Sequence, residues 1–519
     1  MGENTNADPV TAAQQIASGY ATDGLALELG TVLVDGAVDP SAKVRIPFAT
    51  LNRHGLVAGA TGTGKTKTLQ CLAGQLSDAG VPVLLADVKG DLSGMARPGE
   101  DGPKIRSRAE DTGDDWTPTA YPVEFLSLGA PSAAVPIRAT LTQFGPILLS
   151  KVLDLNDTQE STLGLIFHWA DQQQLPLLDT KDLRAVIQHL TSDEGKADLK
   201  GIGGVSPATA GVILRALVNL EAQGGDHFFG EPEFDPADLI RQVDGKGVVS
   251  LLELADQAAN PKLFSTFLMW LLAELYEELP EAGDLDKPKL VFFFDEAHLL
   301  FTDASKAFLE RIEQTVKLIR SKGVGVFFCT QLPTDVPNAV LSQLGARIQH
   351  ALRAFTPEDQ KALARTVKTY PTSKVYDLEE ALTSLGTGEA IVTVLSERGA
   401  PTPVAWARMR APRSLMAAIG EPAVTEAAKA SPLYGRYGET VDRESAYEKL
   451  TAKIATPPPP EAVPVDAPPP PQAPRRREKE EPGMVAEVLG SPVVKSFLRS
   501  AASALGREIT RGLFGTRRR

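Results

Sequence analysis

The chain has 519 residues, with 53 Lys and Arg against 66 Asp and Glu, and a formal net charge of −13. This length is too great for one ordinary core, so we expect two or three folding units. The acidic total argues against nucleic-acid binding over the whole surface, but not against one basic face or a pore. Two cysteines, Cys71 and Cys329, are typical of a reducing cytosol rather than of a disulfide framework, which predicts a cytoplasmic protein. No apolar run reaches the roughly 18 residues that a membrane span needs.

A glycine-rich loop, GATGTGKT at 59–66, fits the phosphate-binding (Walker A) pattern G-x-x-x-x-G-K-[ST] at every fixed position. A short apolar run precedes it and a segment with helical apolar spacing follows it, a context that a chance glycine-rich turn would lack. In such a loop Lys65 reaches the β- and γ-phosphates, and Thr66 coordinates Mg²⁺. The sequence therefore predicts a site for ATP and Mg²⁺. The residues predicted to bind the nucleotide are Gly59, Ala60, Thr61, Gly62, Thr63, Gly64, Lys65, Thr66 and Lys67.

Continuous apolar runs before and beyond the loop are typical of parallel strands that are covered on both faces. Segments with helical spacing separate the later runs. This alternation predicts an α/β fold with a parallel sheet, which an antiparallel hairpin within 386–410 closes. The runs beyond the loop lie at 81–86, 247–252, 289–295, 323–329 and 347–352.

The spacing along the chain also predicts how the core is divided. Lys65 and Asp295 are 295 − 65 = 230 residues apart, more than a few strand–helix–strand units of about 30 residues require. The excess has helical spacing, so we predict an all-α insertion between two strands of the core. The predicted organisation is a disordered N-terminus at 1–19, an ATPase core at 20–137 and 243–415, a helical insertion at 138–242, a helical extension at 416–456, a disordered Pro-rich linker at 457–482 and a basic amphipathic helix at 483–519.

The basic tail leaves two interpretations open. Between 491 and 519, seven Lys and Arg residues stand against one Glu, 7 − 1 = +6, and apolar residues recur mostly at steps of three and four. The helix is predicted either to dock on the core or a neighbouring subunit, or to lie on an anionic membrane surface. Its many alanines and valines and its lack of tryptophan favour docking within an assembly.

Two carboxylates end the buried run FFF at 292–294. Asp295 is predicted to hold the Mg²⁺ shell and Glu296 to activate the attacking water, as in a Walker B motif. The alternative is an ordinary acidic start to the next helix. Together with the phosphate loop in the same chain, this pair predicts hydrolysis of ATP rather than binding alone.

Gln331 follows the next strand along the chain. Because ligands gather at the carboxyl ends of parallel strands, Gln331 is predicted to lie beside the γ-phosphate and to report hydrolysis. The alternative is a residue that caps the strand end. His298, which follows the carboxylate pair, is predicted to be structural.

Three arginines are candidates for a role in hydrolysis. Arg320 ends a predicted helix, where the helix dipole alone favours a cation, and the sharper interpretation is an arginine finger that enters a neighbouring subunit's site. Arg347 and Arg353 are weaker candidates.

The segment DVKGDLSG at 87–94 leaves two interpretations open. It is either a plain loop, or a place where Asp87 lies near the metal's water shell and Lys89 near phosphate.

These segments together resemble the HerA/FtsK-type motor ATPases, RecA-like proteins that form hexameric rings, and more closely the bacterial HerA-like NTPases of the YjgR-like group. The resemblance covers nearly the whole chain. It implies a RecA-like core, a helicase or DNA-translocase activity, a homo-oligomeric ring, and a trans-acting arginine at Arg320. The segments that carry it lie at 51–66, 87–94, 292–301, 318–326, 343–357, 441–447 and 513–517.

Two functions follow as hypotheses. The first is a Mg²⁺-dependent ring ATPase that translocates or remodels DNA. The second is an ATP-driven switch or assembly ATPase that acts on protein partners without moving DNA, which the acidic total favours. DNA stimulation of ATP hydrolysis separates the two, at a stated salt concentration because phosphate contacts depend on salt.

Overall fold

The computed structural model describes residues 9–87, 90–129, 133–199, 203–254, 261–283, 285–302 and 304–455. Within them, one large sheet and a small two-stranded hairpin hold the strands. In chain order the strands are β1 (Ala26–Val34), β2 (Ala37–Pro47), β3 (Gly55–Ala58), β4 (Val83–Asp87), β5 (Val123–Leu128), β6 (Val135–Ile137), β7 (Gln242–Val243), β8 (Lys246–Gly247), β9 (Val249–Glu253), β10 (Leu290–Phe294), β11 (Val324–Thr330), β12 (Ala346–Gln349), β13 (Glu389–Val394) and β14 (Ala405–Met409).

The large sheet has 12 strands in the order β2-β1-β14-β13-β12-β3-β11-β10-β4-β9-β5-β6. From β12 to β6 all neighbours pair in parallel. On the other side of β12, the strands β13, β14, β1 and β2 pair antiparallel. The predicted α/β fold with a parallel sheet is confirmed, and β13 and β14 form the hairpin expected within 386–410.

The sequence of β10 explains why the central strands lie where they do. Phe292 and Phe294 face one core of the protein, and their rings stack at 4.6 Å, whereas Val291 and Phe293 face the core on the other side of the sheet. All four side chains are at most 1% exposed. A strand that is buried on both faces has no polar alternation, which is why it appears in the sequence as a continuous apolar run.

Helices cover both faces of the sheet. They are α1 (Pro9–Ser18), α2 (Lys65–Asp78), α3 (Pro103–Thr112), α4 (Leu141–Val152), α5 (Asp157–Gln172), α6 (Thr180–Thr191), α7 (Gly195–Asp198), α8 (Pro207–Ala222), α9 (Pro261–Glu278), α10 (His298–Phe301), α11 (Lys306–Ile319), α12 (Asn338–Leu341), α13 (Pro357–Val367), α14 (Leu378–Ser384), α15 (Glu421–Ala430), α16 (Tyr434–Tyr437) and α17 (Ala446–Ala455).

The helices α4 to α8 lie between β6 and β9 in the chain, in the stretch for which the sequence predicts an all-α insertion. Side chains cap the N-termini of α5 and α6: Asn156 and Gln159 form a capping box at α5, and Asp179 and Asp182 form another at α6. The apolar faces of these helices join the core on one side of the sheet. These helices therefore share one core with the sheet, and α4 packs against α9 and α11.

The expectation of a disordered N-terminus at 1–19 is wrong for Pro9–Ser18, which form α1. Ala12, Ala13 and Ile16 are buried, and they lie at the spacing of one helical face. This face packs against β1 and β2. The short apolar stripe is enough to fix the helix because a sheet surface is available to cover it.

Two strands on the parallel side of the large sheet were not predicted. β5 and β6 extend the parallel sheet beyond β9, although the sequence analysis placed no strand between 87 and 246. Glu124 and Ser127 interrupt the apolar run of β5, and both are buried. Glu124 is buried because Arg241 pairs with it at 2.6 Å. Because this ion pair allows a charged residue to lie inside β5, the strand does not appear in the sequence as a continuous apolar run.

The predicted Pro-rich linker and basic C-terminal helix fall within 456–519, outside the described residues. Among the residues that the structure does describe, every helix is too short or too polar to cross a bilayer.

Candidate nucleotide site

The loop between β3 and α2 owes its shape to glycine. Gly59, Gly62 and Gly64 have φ angles of 150°, 81° and 120°, in the region that residues with a side chain rarely adopt. At Gly59 a Cβ atom would lie 2.6 Å from Cβ of His350, closer than van der Waals contact permits. The fixed glycine of the motif is thus required here by both backbone conformation and space.

Neighbouring strands hold the loop in place. The Gly59 N–H donates to the Thr330 carbonyl at 3.2 Å, and the Ala60 N–H donates to the Ala351 carbonyl at 2.9 Å. From the antiparallel side, the Gly388 N–H donates to the Thr63 carbonyl at 3.0 Å. Hydrogen bonds to the sheet and to the residues beside it therefore hold the loop in its shape.

The residues of the loop fit a nucleotide phosphate. The N-cap of α2 is Gly64, and no side chain caps this helix, so an anion can meet the N–H groups of its first turn. Lys65 Nζ donates to the carbonyls of Gly59 at 2.6 Å and Ala60 at 3.3 Å. A phosphate oxygen is a stronger acceptor for an ammonium group than a neutral carbonyl. Lys65 is therefore placed to exchange these acceptors for phosphate.

Asp295 and Glu296 follow β10 in a tight turn. Asp295 Oδ1 accepts a hydrogen bond from the Glu296 N–H at 2.9 Å, and the Ala297 N–H donates to the Cys329 carbonyl of β11 at 2.8 Å. Glu296 has a φ of 48°, a left-handed conformation that costs a residue with a side chain on the order of 1 kcal/mol. Such strain is typical of functional positions, because it persists only where the surrounding structure imposes it.

The residues of the site suit a Mg²⁺ ion that has only one or two protein ligands. Among the described residues, no cluster of three or more His, Cys, Asp or Glu side chains is arranged to hold a metal ion. Mg²⁺ usually binds one or two protein groups and completes its shell with water and substrate phosphates. Thr66, in the first turn of α2, and Asp295, at the end of β10, suit an ion of this kind that arrives with the nucleotide.

Gln331 follows β11, which lies between the strand of the loop and the strand of the carboxylates. Its side chain is exposed at this edge of the sheet. Asp335 fixes the turn after it, because Asp335 Oδ2 accepts hydrogen bonds from Thr330 Oγ1 at 2.7 Å and from the Leu332 N–H at 3.0 Å. Since Asp335 caps this strand end, Gln331 is left available for a ligand.

Arg320 lies at the opposite end of β11 from Gln331, just before the strand begins. It begins a 3₁₀ turn before β11, and its side chain is exposed. β11 has 7 residues, and a strand of that length spans roughly 23 Å. Arg320 therefore cannot reach the phosphate loop of its own chain.

The other two predicted arginines differ from each other. Arg347 donates to the Thr369 carbonyl at 2.7 Å and lies over the Tyr370 ring at 6.0 Å, so it stabilises the turn after α13. Arg353 reaches the phosphate loop of its own chain, where its Nη2 donates to the Thr61 carbonyl at 3.3 Å. Its guanidinium is thus positioned next to the place that nucleotide phosphates would occupy in the same chain.

Replacing Arg353 tests this position. We expect Arg353→Ala to weaken ATP binding about 10-fold, because a charge-assisted hydrogen bond to an anion contributes on the order of 1.5 kcal/mol. Titration with a fluorescent ATP analogue measures the affinity. Arg347→Ala is the matched control, and its affinity should equal that of the unaltered chain. Equal affinity in Arg353→Ala would place the guanidinium outside the site.

Three further predicted residues have other partners. Asp87 accepts hydrogen bonds from the Gly90 and Leu92 N–H groups, both at 2.8 Å, so it fixes its own loop. Its predicted companion, Lys89, lies outside the described residues. The Lys67 ammonium donates to the Met416 carbonyl at 2.8 Å, which leaves only the Lys67 backbone for the nucleotide. His298 Nδ1 lies 3.4 Å from Glu296 Oε2.

Sequence reasoning missed His350 as a residue of the site. Its Nδ1–H donates to the Glu389 carbonyl at 2.7 Å, so its Nε2 accepts from Thr68 Oγ1 at 3.0 Å. The imidazole thereby joins α2 to β13 beneath Gly59. No local motif marks this role, although the position follows directly after β12, the parallel neighbour of β3.

Two buried histidines flank the loop strand. Burial lowers the pKa of His54 and of His350 to about 4, and the charges of Arg320 and Lys65, respectively, act in the same direction. His54 Nε2–H donates to the Val316 carbonyl at 2.7 Å, and its Nδ1 accepts from the Val326 N–H at 3.1 Å. Burial thus keeps both rings neutral, and protonation of His54 would also break the hydrogen bond that its Nδ1 accepts.

These histidines predict a loss of stability in acid. The unfolded state binds their protons near pH 6.5 and the folded state only near pH 4. Their contribution is therefore complete above pH 6.5 and is lost as the pH falls toward 4, with a slope of up to about 1.4 kcal/mol per pH unit for each ring. Urea unfolding between pH 7 and 5 measures it. His227→Gln, at an exposed position, should keep the slope, and a flat profile would contradict the prediction.

The fold and the site define the class of protein. A phosphate loop follows β3, a carboxylate pair follows β10, and a glutamine follows β11 between them. This arrangement is that of a P-loop nucleotide-binding protein with a RecA-like core. Residues 34–519 match the family described as Helicase HerA-like C-terminal, and the chain belongs to that family. The predicted HerA/FtsK-type relationship is confirmed, and the YjgR-like assignment within it stays a prediction.

Curated relatives and solved structures agree with this assignment. The DNA double-strand break repair helicase HerA of Sulfurisphaera tokodaii is 23% identical over 368 residues, 70% of this chain and 66% of that protein. The HerA of Saccharolobus solfataricus is 24% identical over 374 residues, again 70% and 66%. The chain thus spans just under two thirds of their length. The plasmid coupling protein TrwB, solved with the ATP analogue ADPNP, shares the fold at a TM-score of 0.51 and 16% identity, covering 78% of this chain and 94% of that one.

Proposed function

We propose that the protein is a Mg²⁺-dependent ATP hydrolase that works as a ring and translocates or remodels DNA. The observation that carries the proposal is the arrangement of three adjacent strands. The phosphate loop, Gln331 and the Asp295–Glu296 pair follow β3, β11 and β10, which are neighbours in the sheet and end at the same edge. Binding groups and hydrolytic groups thus meet where a parallel sheet collects its ligands.

Each residue has a distinct role in this proposal. Lys65 and the first turn of α2 bind the phosphates. Mg²⁺, held by Thr66 and Asp295, would neutralise charge that develops on the phosphates. Glu296 orients the attacking water and accepts its proton, and Gln331 donates a hydrogen bond to the γ-phosphate or the water.

The position of Arg320 supports the ring. An exposed arginine at the far edge of the sheet can act on a γ-phosphate only in another copy of the chain, and a closed ring gives every site such a neighbour. Among the described residues, no carboxylate forms an ion pair with Arg320. In this proposal the guanidinium binds the γ-phosphate in a neighbouring subunit. A hexamer is the ring that the HerA/FtsK resemblance implies.

DNA as the substrate is supported by the names of the curated relatives, which are DNA repair helicases. The second candidate is a switch or assembly ATPase that acts on proteins, and the net charge of −13 favours it. Hydrolysis rates with and without single- and double-stranded DNA, at low and at physiological salt, decide between them. A rate that DNA leaves unchanged, together with no DNA binding at low salt, would remove the motor and leave the ATPase. The mass of the ATP-bound assembly tests the ring in the same samples.

A further inference from the structure

One exposed side of a helix carries three positive charges in a row. Lys361 and Arg365 are exposed on α13, and Lys368 is exposed as its C-cap. They stand at positions i, i+4 and i+7, so they line one side of the helix over about 10 Å. None of the three forms an ion pair with a described residue. Like charges at this spacing destabilise a helix by a few tenths of a kcal/mol. The row is therefore a local basic surface, with Glu358 one turn before it, in a chain whose net charge is −13.

An exposed aromatic ring lies at the start of the same helix. The side chain of Phe355 is 85% exposed. A phenylalanine just before an N-cap often packs on an apolar residue in the first turn, but here that residue is Gln360. The backbone of Phe355 is nevertheless fixed, because its N–H donates to Asp359 Oδ2 at 3.2 Å and Thr356 caps the helix. A rigid backbone thus presents an unburied ring.

This surface is tied to both ends of the nucleotide site. The chain that leads to α13 runs along the phosphate loop, with the Ala351 carbonyl bonded to Ala60 and Arg353 bonded to Thr61. On its buried side, Leu363 packs in a small core that includes Leu332, the residue after Gln331. A ligand on α13 would therefore contact the same rigid unit that holds the loop and the predicted sensor.

We propose that the α13 face, defined as Phe355, Lys361, Arg365 and Lys368, binds a single nucleic-acid strand. The three cations meet its phosphates, and the Phe355 ring stacks on a base, the combination by which proteins hold single strands without reading sequence. The inference rests on the proposed function, since it names the surface through which the ATPase meets its strand. An aromatic platform favours an unpaired strand over a duplex, whose bases are already stacked.

Two variants of the full chain test the proposal. In Lys361→Ala/Arg365→Ala/Lys368→Ala, binding of a fluorescein-labelled oligothymidylate should depend less on salt, with the log–log slope shallower by about 2, because about 0.7 is lost per phosphate contact to a single strand. In Phe355→Ala, affinity for the oligonucleotide should fall on the order of 10-fold, while affinity for a duplex of the same length changes little. Thermal unfolding midpoints confirm that both variants fold.

The matched control removes three exposed cations from other elements, as Lys306→Ala/Arg398→Ala/Lys429→Ala, and should keep the slope of the unaltered chain. A triple α13 variant with the slope of this control would overturn the inference and leave the proposed function standing. A triple variant that changes the mass of the assembly would also overturn it, by showing that the face packs against a neighbouring subunit. If the unaltered chain binds no nucleic acid at all, the DNA part of the proposed function fails, and the inference fails with it.

Discussion

Glu296→Gln is expected to bind ATP as tightly as the unaltered chain while its hydrolysis rate falls about 10²- to 10⁴-fold. The amide has nearly the size of the carboxylate but cannot accept the proton of the attacking water. The phosphates keep their contacts with Lys65 and the loop, so binding should not change. Single-turnover hydrolysis and a titration with a fluorescent ATP analogue give the two quantities separately.

Glu310→Gln is the control for this variant, because it makes the same chemical change at an exposed position on α11. It should hydrolyse ATP at the unaltered rate. Hydrolysis by Glu296→Gln within a few-fold of that rate would remove Glu296 from the role of general base. Loss of ATP binding would instead show that the strained turn after β10 needs the carboxylate to form.

Arg320→Ala is expected to lose hydrolysis by about 10³-fold or more, with ATP binding retained, because an arginine finger acts on charge that develops during the reaction. The decisive measurement is made on a mixture. Subunits with Arg320→Ala keep Glu296, and subunits with Glu296→Gln keep Arg320. Where one of each meets in the right order, a complete site forms, so two inactive proteins should become partly active together.

Lys322→Ala serves as the control, since Lys322 lies in the same turn but pairs with Glu281 at 3.2 Å and contacts the Tyr276 ring at 5.1 Å. It should hydrolyse ATP normally. A mixture that stays inactive, although its subunits exchange, would contradict a shared site. Full activity in Arg320→Ala alone would reject the arginine finger and leave the helix dipole as the reason for a cation at this position.

The sequence was sufficient for the parts of the site that depend on short spacing. The fixed glycines, Lys65 and Thr66 form a motif because one loop must satisfy one phosphate geometry, and Asp295 with Glu296 stands out because two carboxylates end an entirely apolar strand. The α/β fold followed for a similar reason, since strands buried on both faces have an unmistakable composition.

The parts that the sequence did not show depend on contacts between distant segments. Whether Arg353 or Arg347 reaches the loop is decided by the path of the chain after β12, and both have the same local surroundings in the sequence. His350 gains its role only because β12 pairs with β3. β5 was missed because Glu124 is neutralised by Arg241, which is 117 residues away in the chain.

β11 has a consequence for timing. It carries Gln331 at one end and leads back to Arg320 at the other, and its 7 buried residues form a stiff connection between them. If Arg320 enters a neighbour's site, the strand that senses hydrolysis in one subunit is also the strand that completes the next subunit's catalytic machinery. Loss of a γ-phosphate in one subunit would then move that subunit's own Arg320 within the neighbour's site, because β11 links the two residues mechanically. The order in which the subunits of such a ring hydrolyse ATP would then be set by one β-strand in each subunit rather than by the diffusion of nucleotide.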